Sequence, residues 1–247
     1  MAAEADNDLA KVRSRVKGDC SGCPRNGGKL AVMFARAPDS AKKIRVVVIS
    51  QEPVPSLREK GEGLEQYLIG LCRTAKPGSS NFEESKVAMP ISKLVSVFGN
   101  FDPSKDAVYW THALKCMPAE ERSVNKDWRK SAKACVEHLK AELESLGQDE
   151  INIVVVGKFA TEMVFHLFRG DDIDPDISIS EVMQSNDLPM QLTLRYKSGR
   201  TQKAKLFLLT NPGKDVCTVQ RKGGKLTVDE LQELETVKLR EIVGGRR

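Results

Sequence analysis

Six cysteines are spread unevenly along the 247-residue chain, and four of them are placed to do chemistry. Cys20 and Cys23 form a C-x-x-C near the N-terminus. Cys116 follows an apolar run, Tyr109-Trp110-Thr111-His112-Ala113-Leu114-Lys115, and Cys135 lies in the segment after it. Two close thiolates joined by two from distant elements can close a four-thiolate site, which suits an iron–sulfur cluster or a zinc ion. Cys72 and Cys217 are left over, and Cys72 reads as a buried thiol on a helix.

A second group is charged. From Arg195 to Lys225 nine Lys/Arg stand against one acid, Asp215, and Asp171, Asp172, Asp174 and Asp176 precede them as a stretch of the opposite sign. Such a basic stretch is either a solvated face or a surface for nucleic-acid phosphates. Overall the net charge is a modest +5.

The elements that must position these groups are legible from periodicity. Ile44–Ser50 is a nearly continuous β-branched run, expected to be a strand covered on both faces. It stops at Gln51-Glu52-Pro53-Val54-Pro55, where two prolines prevent further ladder pairing. Residues 107–113 and 151–156 read as further buried strands. Met190–Tyr196 and Lys203–Thr210 flank Ser198-Gly199 as a hairpin whose second arm is the last core strand. Helices are expected at 61–75, 90–98, 125–146, 159–168 and 227–243. In the third segment of that series, 125–146, Trp128, Ala132, Cys135, Leu139, Leu143 and Leu146 share one stripe. Alternating strands and helices predict an α/β fold: three αβα layers around a mostly parallel, four-stranded sheet, with a small added hairpin. Ligands of such sheets bind beyond the carboxyl ends of the strands. The segments to watch are therefore 50–55, 111–116, 156–158 and 210–214.

Composition sets the remaining bounds. A 40% hydrophobic content suffices for a full core without disulfides. No apolar run approaches ~20 residues, so no membrane helix is expected. Residues 1–19 read as a charged leader without the apolar core of a secretion signal, and 20–247 as a single domain. An intracellular, monomeric protein is expected, and in that setting cysteines serve more often as ligands than as disulfides.

The four strand ends together with the cysteines resemble the uracil-DNA glycosylase superfamily, in particular its iron–sulfur branch (family 4 and family 5 type enzymes). That branch has a C-x-x-C before the first core strand, a third cysteine in T-N-x-x-K-C after a strand, and a fourth in the next helix. Cys20 and Cys23, Thr111-His112-Ala113-Leu114-Lys115-Cys116, and Cys135 follow this pattern. The resemblance implies a 4Fe–4S cluster on Cys20, Cys23, Cys116 and Cys135, with zinc as the alternative.

The resemblance also implies roles at the strand ends. Ser50-Gln51-Glu52-Pro53-Val54 takes the place of the superfamily's first motif, with Ser50 where Gly is usual. Gln51 falls where the backbone grips the base, Pro53 in the proline slot, and Glu52 where some branches position the attacking water. A carboxylate there can hold water or stabilise an oxocarbenium-like sugar; otherwise Glu52 is an exposed turn residue. His112 stands where the branch carries a base-reading Asn, and is otherwise a satisfied core histidine. Asn211-Pro212-Gly213 replaces the usual H-P-S or H-P-A, and the Asn211 amide can still donate to a base oxygen. Lys214, Arg221, Lys222 and Lys225 continue into the region of the DNA-inserting loop. No stacking aromatic is evident in residues 56–63. The function implied is a DNA glycosylase that flips and hydrolytically removes a deaminated base during base excision repair. The alternative is a non-catalytic nucleic-acid or nucleotide-binding iron–sulfur protein of the same fold.

Overall fold

In the computed structural model the described residues are 43–51, 106–115, 128–169, 189–209 and 237. They form strands β1 (Lys43–Ser50), β2 (Asp106–His112), β3 (Glu150–Val156), β4 (Met190–Arg195) and β5 (Thr201–Leu209), with helices α1 (Trp128–Ser145) and α2 (Lys158–Arg169). The strands make one sheet in the order β2-β1-β3-β5-β4. β1 pairs in parallel with β2 and β3, β3 pairs in parallel with β5, and only β4 runs antiparallel to its neighbour. The expected four-stranded parallel sheet is therefore present, and the first arm of the hairpin joins it as a fifth, edge strand.

One face of the sheet carries Val47, Ile49, Tyr109, Ile151, Ile153, Val155, Ala204, Leu206 and Leu208, which pack with Cys135, Leu139 and Leu143 of α1 and with Ala160, Met163 and Val164 of α2. The helical residues recur at three- and four-residue spacing, so each helix turns one apolar stripe to the sheet. An irregularity between Ile44 and Val46 puts one extra residue into β1. That bulge reverses the side-chain alternation, and Ile44 joins the same face as Val47. Val46, Val48, Val154 and Phe207 on the opposite face are fully buried too, as the continuous apolar runs of β1 and β3 require. Nearer the amino end of β5 that second face opens to solvent at Lys203 and Lys205.

Turn chemistry fixes the ends of the elements. Gly147, just past α1, and Gly199, in the hairpin, have φ of 69° and 86°, values that suit residues lacking a Cβ. In the hairpin Tyr196 N–H donates to Arg200 C=O (3.0 Å) and Gly199 N–H to Tyr196 C=O (3.0 Å). This is a three-residue loop with glycine in the left-handed position. The tip docks on the end of α1: Arg200 donates to Glu144 C=O (3.0 Å) and pairs with Asp149 (3.2 Å), and Ser198 donates to the Glu144 carboxylate. A guanidinium at a helix C-terminus also meets the negative end of the helix dipole.

The expected helices at 61–75 and 90–98 lie outside the described residues, as do Cys72, Cys217 and the acidic stretch 171–176. Of the expected closing helix only Val237 is described, and it is helical and exposed. Among the described residues no helix is long and apolar enough to cross a membrane.

Candidate functional site

In this topology the chain leaves β1 toward β2 on one side and later returns to β3 on the other. The strand order thus reverses around β1, and the carboxyl ends of β1 and β3 mark the crevice where such sheets take their ligands. β1 ends at Ser50, directly opposite His112 at the end of β2. Pairing continues beyond the strands: Ala113 N–H donates to Ser50 C=O (2.7 Å) and Leu114 N–H to Gln51 C=O (2.8 Å). Gln51 is thereby fixed through its carbonyl while its side chain is exposed. On the other side of the crevice, Gly157 (φ 88°) turns the chain from β3 into α2, and its N–H donates to Leu209 C=O at the end of β5 (2.8 Å).

Ser50 and His112 meet on the sheet face opposite the two helices. Ser50 Oγ lies 2.7 Å from His112 Nδ1 and 3.5 Å from Thr111 C=O. His112 is 3% exposed. Burial, and then the positive charge of Lys115, lower its pKa to about 3. The imidazole is therefore neutral at physiological pH and interacts through one donor and one acceptor, not through charge.

Behind it, on the helix side, lies a buried polar cluster. Lys115, 2% exposed, forms an ion pair with Glu142 of α1, which is fully buried. Lys115 Nζ also donates to Thr111 Oγ1 (2.6 Å), Thr111 Oγ1 lies 2.9 and 3.0 Å from the two Glu142 oxygens, and Tyr109 Oη donates to Glu142 (2.5 Å). Three donors thus converge on one carboxylate, which offsets the desolvation of a buried charge pair. The cluster ties the end of β2 to the last turn of α1. Sequence reasoning missed it, although Glu142 standing between Leu139 and Leu143 on an apolar stripe signals a buried acid in need of partners.

Of the residues expected to act, Gln51 and His112 are brought together at the crevice. Cys135 is buried on the sheet-facing stripe of α1. Glu52, Pro53, Asn211 and Pro212, the cluster cysteines Cys20, Cys23 and Cys116, and the DNA-contacting candidates Lys214, Arg221, Lys222 and Lys225 lie outside the described residues. Among the described residues no group of three His, Cys, Asp or Glu could hold a metal ion. The basic stretch divides where it is described. Lys197 pairs with Glu137 of α1 (2.9 Å) and Arg200 with Asp149, whereas Arg195, Lys203 and Lys205 alternate onto the open sheet face.

A parallel α/β sheet buried on both faces, with polar residues gathered at its carboxyl ends, defines a class of ligand-binding α/β domains. Residues 38–213 match the Uracil DNA glycosylase superfamily, more than two thirds of the chain, and all four strand ends fall within the match. The chain belongs to that superfamily. No curated protein matches it.

Proposed function

We propose that this chain is a monofunctional DNA glycosylase that flips a deaminated base from DNA and hydrolyses its N-glycosidic bond. Superfamily membership across all the strand ends is the observation that carries this reading. Glu52 follows Gln51 directly, and Asn211 lies two residues beyond the end of β5. β1 and β5 flank β3, so the two residues start from strand ends about 10 Å apart, a span that accommodates a nucleoside.

In the proposed reaction Glu52 orients a water and accepts its proton as the oxygen bonds to the anomeric carbon. The bonding pair of the N-glycosidic bond leaves with the base. Asn211 donates to the base oxygen on which negative charge develops. Gln51, Pro53, His112 and Pro212 shape the pocket. With a pKa near 3, His112 contributes hydrogen bonds and does not protonate the departing base. Lys214, Arg221, Lys222 and Lys225 hold the DNA backbone.

The reading extends to the iron–sulfur branch, with a 4Fe–4S cluster on Cys20, Cys23, Cys116 and Cys135 and zinc as the alternative metal. Two features support it. Cys135 is buried on α1, and Lys115, the neighbour of Cys116, is anchored to Glu142 on that same helix. When bound, the cluster supplies structure, fixing the segments that flank the DNA.

The test is incubation with duplexes carrying uracil, hypoxanthine, xanthine or a T·G mismatch, followed by alkaline cleavage of abasic sites. Strand cleavage at one of these bases is the expected result. DNA binding without excision of any of them assigns the chain to the non-catalytic reading.

A further inference from the structure

We propose that Arg195, Lys203 and Lys205 form a second DNA-backbone site on the open face of the β4–β5 hairpin, so that the chain holds one duplex segment at the crevice and another on this face. The choice of DNA as partner rests on the glycosylase reading; the cationic face itself does not.

Residues of β4 and β5 alternate between the two sides of the sheet. Leu192, Leu194, Ala204 and Leu206 turn to the core that the helices cover. Gln191, Thr193, Arg195, Thr201, Lys203 and Lys205 take the other side, and all six are exposed. Their pairing is continuous, from Gln191↔Lys205 through Thr193↔Lys203 to Arg195↔Thr201. Lys203 and Lys205 therefore stand about 7 Å apart along β5. Arg195 is diagonal to Lys203, at about 7–8 Å. Phosphates of one DNA strand rise about 3.4 Å each and, because the strand winds, lie roughly 7 Å apart. The row of cations thus has the step of a phosphate backbone. Gln191, Thr193 and Thr201 supply neutral hydrogen-bonding groups of the kind that contact phosphate and sugar. None of the six residues is aromatic, so the face offers unpaired bases nothing to stack on and suits a duplex. One acid is near, since Glu150 of β3 is exposed and in register with Lys203. Among the described residues it forms no ion pair with that lysine, and the face keeps a net positive charge. Lys197 and Arg200 differ, being paired with Glu137 and Asp149.

This face is remote from the crevice. Lys205 lies about 13 Å short of the end of β5 at Leu209, and Arg195, level with Thr201, about 26 Å short. A duplex laid across the carboxyl ends would have to bend round the sheet to reach it, and DNA is stiff below about 50 nm. A separate segment meets no such cost.

The experiment counts undamaged duplexes of about ten base pairs, one helical turn, bound per chain at low salt by analytical ultracentrifugation. Wild type should bind two and the triple variant Arg195→Gln/Lys203→Gln/Lys205→Gln one, with far-UV circular dichroism melts checking that the variant is folded. The duplex lost in the variant should bind wild type with a log–log salt slope near −2.7, about 0.9 for each of three phosphates. Lys197→Gln, which removes a cation outside the row, should still bind two. One duplex in both wild type and triple variant overturns the proposal, as does a Lys197→Gln variant that loses a duplex. Poly-glutamate that displaces the second duplex as well as unlabelled DNA does overturns it in favour of an acidic protein partner. One duplex in wild type and none in the triple variant supports the hairpin site and removes the crevice as a DNA site, so the two readings fail separately.

Discussion

Replacing Glu142 with Gln tests whether the buried cluster behind His112 holds the sheet to α1. Glu142 is fully buried and receives Tyr109, Thr111 and Lys115. Glutamine keeps the shape but leaves the Lys115 ammonium, 2% exposed, without a counter-charge. Its amide NH2 is also a donor set among donors. Breaking a buried pair by removing one partner costs about 3–5 kcal/mol. That is a large share of the ~5–15 kcal/mol by which a native domain is stable. At roughly 2–4 °C per kcal/mol for a chain of this size, Tm should fall by about 6–20 °C. The assay is urea unfolding followed by far-UV circular dichroism, with a lowered midpoint at unchanged slope. The double variant Lys115→Met/Glu142→Leu removes both charges and should recover at least half of the loss. The remainder reflects the Tyr109 and Thr111 hydroxyls deprived of their acceptor. Stability of Glu142→Gln within ~1 kcal/mol of wild type, or a double variant weaker than the single, would refute the argument.

His112 makes the fold acid-sensitive: its folded pKa of about 3 lies below the unfolded 6.5, so the unfolded chain binds the extra proton between those values. Stability is therefore full above pH 6.5 and declines at up to about 1.4 kcal/mol per pH unit as pH falls toward 3; thermal melts should show this slope in wild type and a shallower one in His112→Asn. Glu52→Gln and Asn211→Ala should each slow single-turnover excision by ~100-fold with little change in DNA affinity, since each group acts on charge present only in the transition state; wild-type rates in both would reassign the catalytic pair. Anaerobically purified protein should carry about four irons per chain, and Cys72→Ser should keep them, whereas one zinc and no iron would replace the cluster with a zinc site. Arg221→Ala/Lys222→Ala should weaken DNA binding across sequences and reduce the slope of log affinity against log salt by ~2, measured by fluorescence anisotropy.

The strands were legible because burial on two faces demands apolar runs, and Val46–Ile49 and Ile153–Val156 are such runs. The α1 stripe was legible for the same reason, with Cys135, Leu139 and Leu143 buried where the period puts them. β5 begins two residues before its expected start, at Thr201, because Thr201-Gln202-Lys203 alternates with the sheet and not as an apolar run. What spacing could not show is who meets whom across the sheet. Ser50 and His112 touch because of the β1–β2 register, and Lys115 meets Glu142 because α1 packs over the end of β2. Both pairs join residues from different elements, and register is not written in either element alone. The basic stretch read as one surface, yet the turn at Gly199 sends Lys197 and Arg200 toward α1 while strand alternation sends Lys203 and Lys205 the other way.

The central place of β1 has a consequence for how the chain reaches this structure. Val47 pairs with Tyr109 and with Ile153, so neither neighbour is local, while Arg195 and Thr201 close the β4–β5 hairpin across five residues. Loop-closure entropy lets the hairpin form early and makes the pairing of β1 slow. Until β1 is seated, the facing edges of β2 and β3 are unpaired and apolar, open to strands of other nascent chains. The residues that end at the crevice are carried by β1, so the site is completed by the same step that closes the sheet. Expression yield should therefore respond most steeply to changes in β1, and chaperone capture should favour chains in which that strand has yet to enter.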